Sequence, residues 1–365
     1  MSNFQLLKKS GKARRGQVSL FHGTVQTPIF MPVATNGAIK GILPNDLIEM
    51  NAQIILANTY HMFLRPGMEV LNEANSLHNF MNWDRPILTD SGGFQIWSLS
   101  KLNKINEEGA RFKSHLDGSM FDLSPEKAVT IQEAFGSDIH MVLDECTDHP
   151  ATHDQAKLSM QRSMRWAARC RQAKTKDELS QFGIVQGSIY EDLRKESCDK
   201  LVEIGFDGYA IGGLSVGEDK NDMRAMTEFS CDHLPEDRAR YLMGVGTPAD
   251  LIESVALGVD MFDCVMPSRN ARRATLFTSS GRVSIKNSKH KMSQDPLDPN
   301  CGCYTCKNFS KSFLRHMFFV NETTSHRLLT LHNLTFYLDL MTKIRTAIEN
   351  DQFEELLKEQ RNIPY

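Results

Sequence analysis

A (β/α)8 TIM barrel, of the α/β class, is the fold this sequence predicts, and three observations predict it. Short apolar, β-rich runs recur eight times, with helix-forming stretches between them. The runs are apolar throughout rather than alternating, as strands covered on both faces by crossover helices must be. The 365 residues exceed an average domain but suit a barrel carrying insertions.

The opening, "FQLLKKSGKARRGQVSLFHG", reads as an N-terminal hairpin ahead of strand one, placed to cap the barrel floor. The eight strand candidates follow: "TPIFMPVAT" (27–35), "IILANTY" (54–60), "PILTDSG" (86–92), "IHMVLDE" (139–145), "FGIVQGS" (182–188), "GYAIGGL" (208–214), "RYLMGVG" (240–246) and "DMFDCV" (260–265). Helix candidates between them include "SPEKAVTIQEAFG", "HDQAKLSMQRSMRWAARCRQAK", "YEDLRKESCDKLVEIG" and "TPADLIESVALG", and several open on a capping Ser or Thr and close at Gly. From about 266 to 324 the pattern is interrupted by a segment rich in Ser, Asn, Lys and Arg, and "SHRLLTLHNLTFYLDLMTKIRTAIEN" then supplies an amphipathic final helix. The expected organisation is therefore a hairpin and barrel over 1–265, a basic insertion over 266–324, and the last helix and tail over 325–365.

Composition narrows the class further. With 41% hydrophobic and 24% charged residues and no run near the roughly 20 apolar residues of a membrane span, the chain reads as soluble, with no membrane partner. Its start has basic residues but no signal-length apolar run, so the expected compartment is the cytoplasm, where thiols stay reduced. A net charge of −3 means that any polyanion must meet a local basic surface.

Barrel active sites lie at the carboxyl ends of the strands. Those ends carry Asp90, Asp144 with Glu145, Gln186, Gly212 with Gly213, Met243 with Gly244, and Asp263. A lone aspartate there is as readily a cap as a catalyst, but three at neighbouring ends favour chemistry. Two carboxylates on one pocket suit displacement at an anomeric carbon, one attacking and the other managing the leaving group's proton. Position alone does not say which is which, and a barrel glycosidase would be equipped by the same pair. After Asp263 come Arg269, Arg272, Arg273, Arg282, Lys286, Lys289 and Lys291, with no acidic residue before Asp295. Solvated surfaces mix signs, so this run points to phosphate binding beside the reacting centre.

Cys301, Cys303 and Cys306 form a tight thiol cluster, "CGCYTC", whereas the other cysteines are scattered singly. A redox pair belongs at a strand end, not in a polar insertion. Structural zinc (Zn2+) fits better, with the fourth ligand to come from His290, His316, His326 or His332. Three cysteines and one histidine would fill the coordination sphere and leave no position for a reacting water.

With "DSGGFQ", "LDEC", "VQGS", "IGGLSVGE", "YLMGVG", "DMFDCVMPSRNARR" and "CxCxxC" in this order, the chain resembles the tRNA-guanine transglycosylases over nearly its whole length. The resemblance implies a pentosyltransferase that exchanges a guanine in tRNA for a 7-deazaguanine, on a barrel with an inserted zinc subdomain. Carried over residue by residue, it makes Asp263 the nucleophile at ribose C1′ and Asp90 the general acid/base, oriented by Asn58 and Ser91. It places Asp144, Cys146, Gln186, Gly212, Gly213 and Leu214 around the base, with Phe94 and Met243 as stacking faces and Glu218 pairing with the Leu214 peptide. From the residues alone, Phe94 and Met243 read instead as core. It assigns Arg269, Arg272 and Arg273, with Lys286 and Lys289, to the tRNA backbone, and His332 to one structural zinc per subunit. Cys146 and Val216 resemble the bacterial branch. That implies 7-aminomethyl-7-deazaguanine (preQ1) as substrate base, the wobble guanine of the GUN-anticodon tRNAs for Asp, Asn, His and Tyr as target, queuosine biosynthesis as the setting, and a homodimer. Ser215, Ser268 and Trp97 depart mildly from the family pattern.

Overall fold

Eight parallel strand positions close on themselves in chain order in the computed structural model, which describes residues 3–99 and 104–365. Met261–Asp263 pairs in parallel with Ile29–Met31, and Val33–Ala34 pairs with Ile55–Ala57, so the first run bonds on one side to the last strand and on the other to the second. That run is two short strands rather than one, because Pro32 between them has no N–H for the ladder. Its carbonyl still accepts from Leu56 N at 3.0 Å, which holds the two pieces in line. The remaining strands are Ile87–Thr89, Ile139–Met141, Ser180–Val185, Gly208–Ile211 and Ala239–Leu242. Most end several residues before the apolar runs do. The residues left over form the loops at the carboxyl ends, and those loops carry the polar groups.

The helices stop and start where their caps dictate. Ser124 accepts from Lys127 N at the head of Pro125–Phe135, and Gly136 closes that helix at φ 67°. Thr152 and Thr247 open His153–Ala173 and Pro248–Ala256 with capping boxes to Gln155 and Asp250.

The N-terminal segment is a three-stranded antiparallel sheet, Phe4–Ser10, Ala13–Leu20 and Gly23–Thr27, and not a hairpin. Its third strand uses Thr27, which the sequence pattern had assigned to the barrel. The sheet docks where the barrel strands begin. Buried Arg14 lies 3.2 Å from Asp260, and Asn3 donates to Ser180 Oγ at 2.7 Å. His22 and His78 stack at 3.6 Å with both rings beside the carboxylate of Asp138. His22 hydrogen-bonds Asp138 through its backbone N–H and its ring, and His78 Nε2 lies 3.3 Å from the same carboxylate, so the trio ties the sheet to the barrel.

A second small sheet, Lys104–Ile105, Ala110–Lys113 and Met120–Leu123, follows barrel strand three and had no counterpart in the sequence reading. Its Phe112 is buried against Tyr60. After strand eight come the short helix Met266–Ala271, a hairpin of Thr275–Thr278 with Gly281–Ser284, and helices Tyr304–Asn308 and Lys311–Phe319.

The final helix begins at Thr323, two residues before its expected start, and runs to Glu349. It is not amphipathic in its middle: Leu328 to Thr335 are buried without a break. Insertion and barrel press on it from both sides. Asn333 accepts from Phe277 N and donates to Pro267 O and Thr275 O, while Tyr337 donates to Gly246 O at 3.0 Å. Among the described residues, no helix is long and apolar enough to cross a membrane.

Candidate functional site

Asp90 follows strand three and is buried. Asn58 Nδ2 and Gln95 Nε2 donate to its Oδ2, the latter at 2.9 Å, and Thr59 N donates to Oδ1 at 2.8 Å. Burial raises its pKa to about 6 against the lowering effect of these donors, and the nearby charge of Asp263 adds to the rise. A carboxyl so placed exchanges a proton near neutral pH.

Asp263 closes strand eight. Tyr241 Oη donates to its Oδ1 at 2.6 Å and Gly244 N at 2.8 Å, leaving Oδ2 without a protein donor among the described residues. Burial raises its pKa, with Tyr241 and Gly244 acting in opposition.

Asp144 stands at the end of strand four, also raised to about 6 by burial. Gln186 Nε2 donates to it at 2.7 Å and Ser91 Oγ at 3.2 Å. Ser91, expected to orient Asp90, thus serves Asp144 instead, because its side chain leaves the backbone on the strand-four side. Cys146 Sγ lies 3.9 Å from Asp144 Oδ2, and burial keeps its thiol well above the ordinary range. Gly213 has φ 64°, and a Cβ there would fall 2.4 Å from Gln186 Oε1, so only glycine lets this turn lie against the amide.

Glu218 accepts from the amides of Ser215, Val216 (3.0 Å) and Gly217 (3.2 Å). The Ser215 N–H belongs to the Leu214 peptide. Peptide units are planar and trans, so holding that N–H on Glu218 turns the Leu214 carbonyl the other way. Phe94 is 47% exposed and tilts against Trp97 at 5.4 Å, which corrects its reading as core; Met243 is half-buried against the core. Trp97 Nε1 donates to Asp148 at 2.9 Å.

Thr59, Gln95 and Tyr241 escaped the sequence reading, and Gly244 entered it only as a residue at the end of strand seven. Gln95 sits inside "DSGGFQ", five residues after Asp90, and Tyr241 shares a strand face with Met243 by the two-residue period. The second signal was readable; the backbone donors of Thr59 and Gly244 left none.

The basic residues follow strand eight and its terminal Asp263 directly in the chain. Arg269, Arg273, Lys286 and Lys289 are exposed, and Arg272 is half-buried with Nη1 donating to Ser268 O at 2.9 Å. Lys286 lies over the Phe318 ring at 5.1 Å. None of the five has an acidic partner among the described residues, whereas Lys8, Lys9, Lys12 and Arg15 on the N-terminal sheet all do.

Cys301, Cys303, Cys306 and His332 converge, with their ligand atoms all within 4.8 Å of one another. His332 is fully buried; its Nδ1 is 3.3 Å from Cys306 Sγ and 3.7 Å from Cys303 Sγ. Its Nε2 meets Phe277 O at 2.8 Å, so Nε2 carries the proton and Nδ1 turns its lone pair toward the thiols. Cys303 caps the helix Tyr304–Asn308, which brings Cys306 back onto it. Soft sulfur donors with one imidazole could hold a metal ion of the kind that takes four ligands.

Fold and site define an α/β barrel with carboxylates gathered at its strand ends and, late in the chain, a cluster of three cysteines and a histidine that could hold a metal ion. The family profile described as "Queuine tRNA-ribosyltransferase" matches residues 9–363. A queuine tRNA-ribosyltransferase of Francisella tularensis subsp. novicida (strain U112) is 56% identical over 356 residues, covering 98% of this chain and 97% of the relative. One from Aliivibrio salmonicida (strain LFI1238) is 53% identical over 358 residues, covering 98% and 96%. The chain belongs to the queuine tRNA-ribosyltransferase family, the tRNA-guanine transglycosylases.

Proposed function

We propose that the chain replaces the wobble guanine of the GUN-anticodon tRNAs for Asp, Asn, His and Tyr with preQ1 by double displacement, as a step of queuosine biosynthesis in the cytoplasm. One observation supports this reading above the others: two strand-end carboxyls near enough to feel each other's charge, Asp90 buried and Asp263 half-buried, hold unlike hydrogen-bond partners. Asp263 keeps one oxygen on Tyr241 and Gly244 and the other without a donor, as an attacking oxygen should be. Asp90, raised to about 6, can hold or release a proton at neutral pH.

In the first displacement Asp263 Oδ2 bonds to ribose C1′ as the C1′–N9 bond breaks, and Asp90 supplies the proton that guanine takes with the bonding pair. In the second, Asp90 takes the N9 proton of preQ1, N9 attacks C1′, and the Asp263 oxygen leaves with its electrons. The RNA backbone is never cut. Guanine offers N1–H and N2–H2 donors that suit Asp144, and an O6 acceptor that suits Gln186 or the Gly213 amide. Phe94 and Met243 cover the base faces, and Cys146, Gly212 and the Leu214 peptide, set by Glu218, complete the pocket.

Arg269, Arg272, Arg273, Lys286 and Lys289 meet the phosphates flanking the extruded base. Cys301, Cys303, Cys306 and His332 would hold one structural zinc, which would crosslink the insertion, 266–324, to the last segment, 325–365, while the barrel chemistry stays within 1–265. Two copies pair as a homodimer. Tyr304, Phe313 and Phe319 stand exposed on the outer helices of the insertion and offer an apolar surface for that contact.

The test is incorporation of labelled guanine, preQ1 and queuine, in parallel, into unmodified tRNA of the GUN set. Incorporation of guanine and preQ1 into an intact RNA chain is expected, and none with fully metallated protein sinks the reading. With 9-deazaguanine present, a tRNA adduct should survive a denaturing gel and disappear in Asp263→Ala; an adduct that persists reassigns the nucleophile.

A further inference from the structure

Arg194 is a charge buried with no acid beside it. It lies in the first turn of the helix Glu191–Ile204 and is fully shielded from solvent. Burial lowers its pKa only to about 10, so it stays charged at neutral pH. Arg14, the other fully buried arginine among the described residues, has Asp260 at 3.2 Å. Arg194 instead spends its donors on two carbonyls: Nε on Ser188 O at 2.7 Å and Nη2 on Gly212 O at 3.1 Å, while Nη1 has no partner. A buried cation held only by backbone oxygens is costly to fold, and structural need alone would be met by an uncharged side chain.

The two carbonyls belong to the two loops nearest the base pocket. Ser188 ends the loop that begins at Gln186, which donates to Asp144, and Gly212 precedes Gly213, whose turn lies against the Gln186 amide. The loop meets the helix so closely that a Cβ at Gly187, where φ is 134°, would fall 2.8 Å from Arg194 N. Holding the Gly212 carbonyl on a buried guanidinium has a fixed consequence. Across a planar trans peptide the Gly213 N–H points the opposite way, away from the helix, and it has no acceptor among the described residues. Two residues on, Glu218 holds the Ser215 N–H and turns the Leu214 carbonyl out. A buried cation on one side and a carboxylate on the other thus fix the polarity of the segment 212–215, and the two charges feel each other.

We propose that Arg194 is a positioning residue for base recognition: it sets the Gly212–Gly213 peptide so that the Gly213 N–H donates to the O6 of the bound purine, and it ties that peptide to the loop carrying Gln186. This rests on the guanine-exchange reading of the same pocket.

The experiment compares inhibition of labelled-guanine exchange by unlabelled guanine and by 2-aminopurine, which lacks O6 and with it the N1–H that faces Asp144, in wild type, Arg194→Met and Arg194→Lys, alongside the KM for tRNA; only the O6 contact passes through the Gly213 amide. Losing one well-aimed hydrogen bond should cut the preference for guanine over 2-aminopurine by about fivefold in Arg194→Met. The KM for tRNA should stay within about twofold of wild type, since no phosphate contact is touched. Arg194→Lys, able to reach one carbonyl but not both, should fall between. A loosened fold would weaken both inhibitors and tRNA together, so an unchanged guanine to 2-aminopurine ratio overturns the proposal. Should Arg194→Met not fold, the ratio in Arg194→Lys decides it on the same terms. If wild type incorporates no guanine, the functional reading has failed instead, and the two failures are told apart by that first measurement.

Discussion

Tyr241 donates its hydroxyl to Oδ1 of Asp263 at 2.6 Å from within a strand where every neighbour is buried. With Gly244 N on the same oxygen, the carboxylate is anchored at one end and open at the other. The hydroxyl also favours the ionised form of Asp263. Tyr241→Phe should therefore raise the apparent pKa of Asp263 and, with Asp263 as the proposed nucleophile, move the acidic limb of kcat/KM for tRNA to higher pH and lower the rate at pH 7 by about tenfold. A pH profile with an unmoved acidic limb would show that the hydroxyl only fills space.

Asp144 makes folding pH-dependent with a sign that can be worked out. Its carboxyl titrates near 3.8 unfolded and at about 6 folded. Below 3.8 both states are protonated and nothing is lost. From there to 6 the folded state holds a proton that the unfolded state has released, so stability falls as pH rises, and above 6 the penalty is complete, about 3 kcal/mol. Asp144→Asn keeps acceptable partners in Ser91 and Gln186. It should raise Tm by several degrees at pH 7.5 and leave it unchanged at pH 3.5, while base exchange falls. An equal gain at both pH values would rule out ionisation as the cause.

Metal removal should separate the two halves of the substrate. Stripping the cluster of Cys301, Cys303, Cys306 and His332 frees the insertion from the final helix, because His332 is the residue that joins thiols to Phe277 O. Anisotropy should show tRNA affinity falling by at least about tenfold on chelation, with guanine binding to the barrel pocket retained. Full exchange activity in a chelated protein shown to be metal-free would refute this role.

Arg269 has no acidic partner among the described residues, so its charge is available to phosphate. Arg269→Ala should weaken binding of all tRNAs alike and reduce the slope of log K against log salt by about one. A sequence-selective loss with an unaltered slope would mean a base contact instead.

Much of this molecule could be read without coordinates. Strands buried on both faces must be apolar throughout, so the barrel was visible as eight such runs, and the strand-end rule then picked out Asp90, Asp144 and Asp263. The thiol cluster was visible because three cysteines fall within six residues. The errors have local causes: Pro32 split a strand, Thr27 belongs to the preceding sheet, and the final helix is covered on both sides, so its middle shows no polar face.

What the sequence determined alone was the set of chemical groups and the period that delivers each to one end of a barrel. Tertiary structure decided their partners. Ser91 turned to Asp144 rather than Asp90, Tyr241 took one oxygen of Asp263, and Arg194 reached from its own unit to the Gly212 carbonyl of the next. The reason is physical: a hydrogen bond requires a distance near 3 Å and a direction. Between strands distant along the chain, both are set only when the barrel closes.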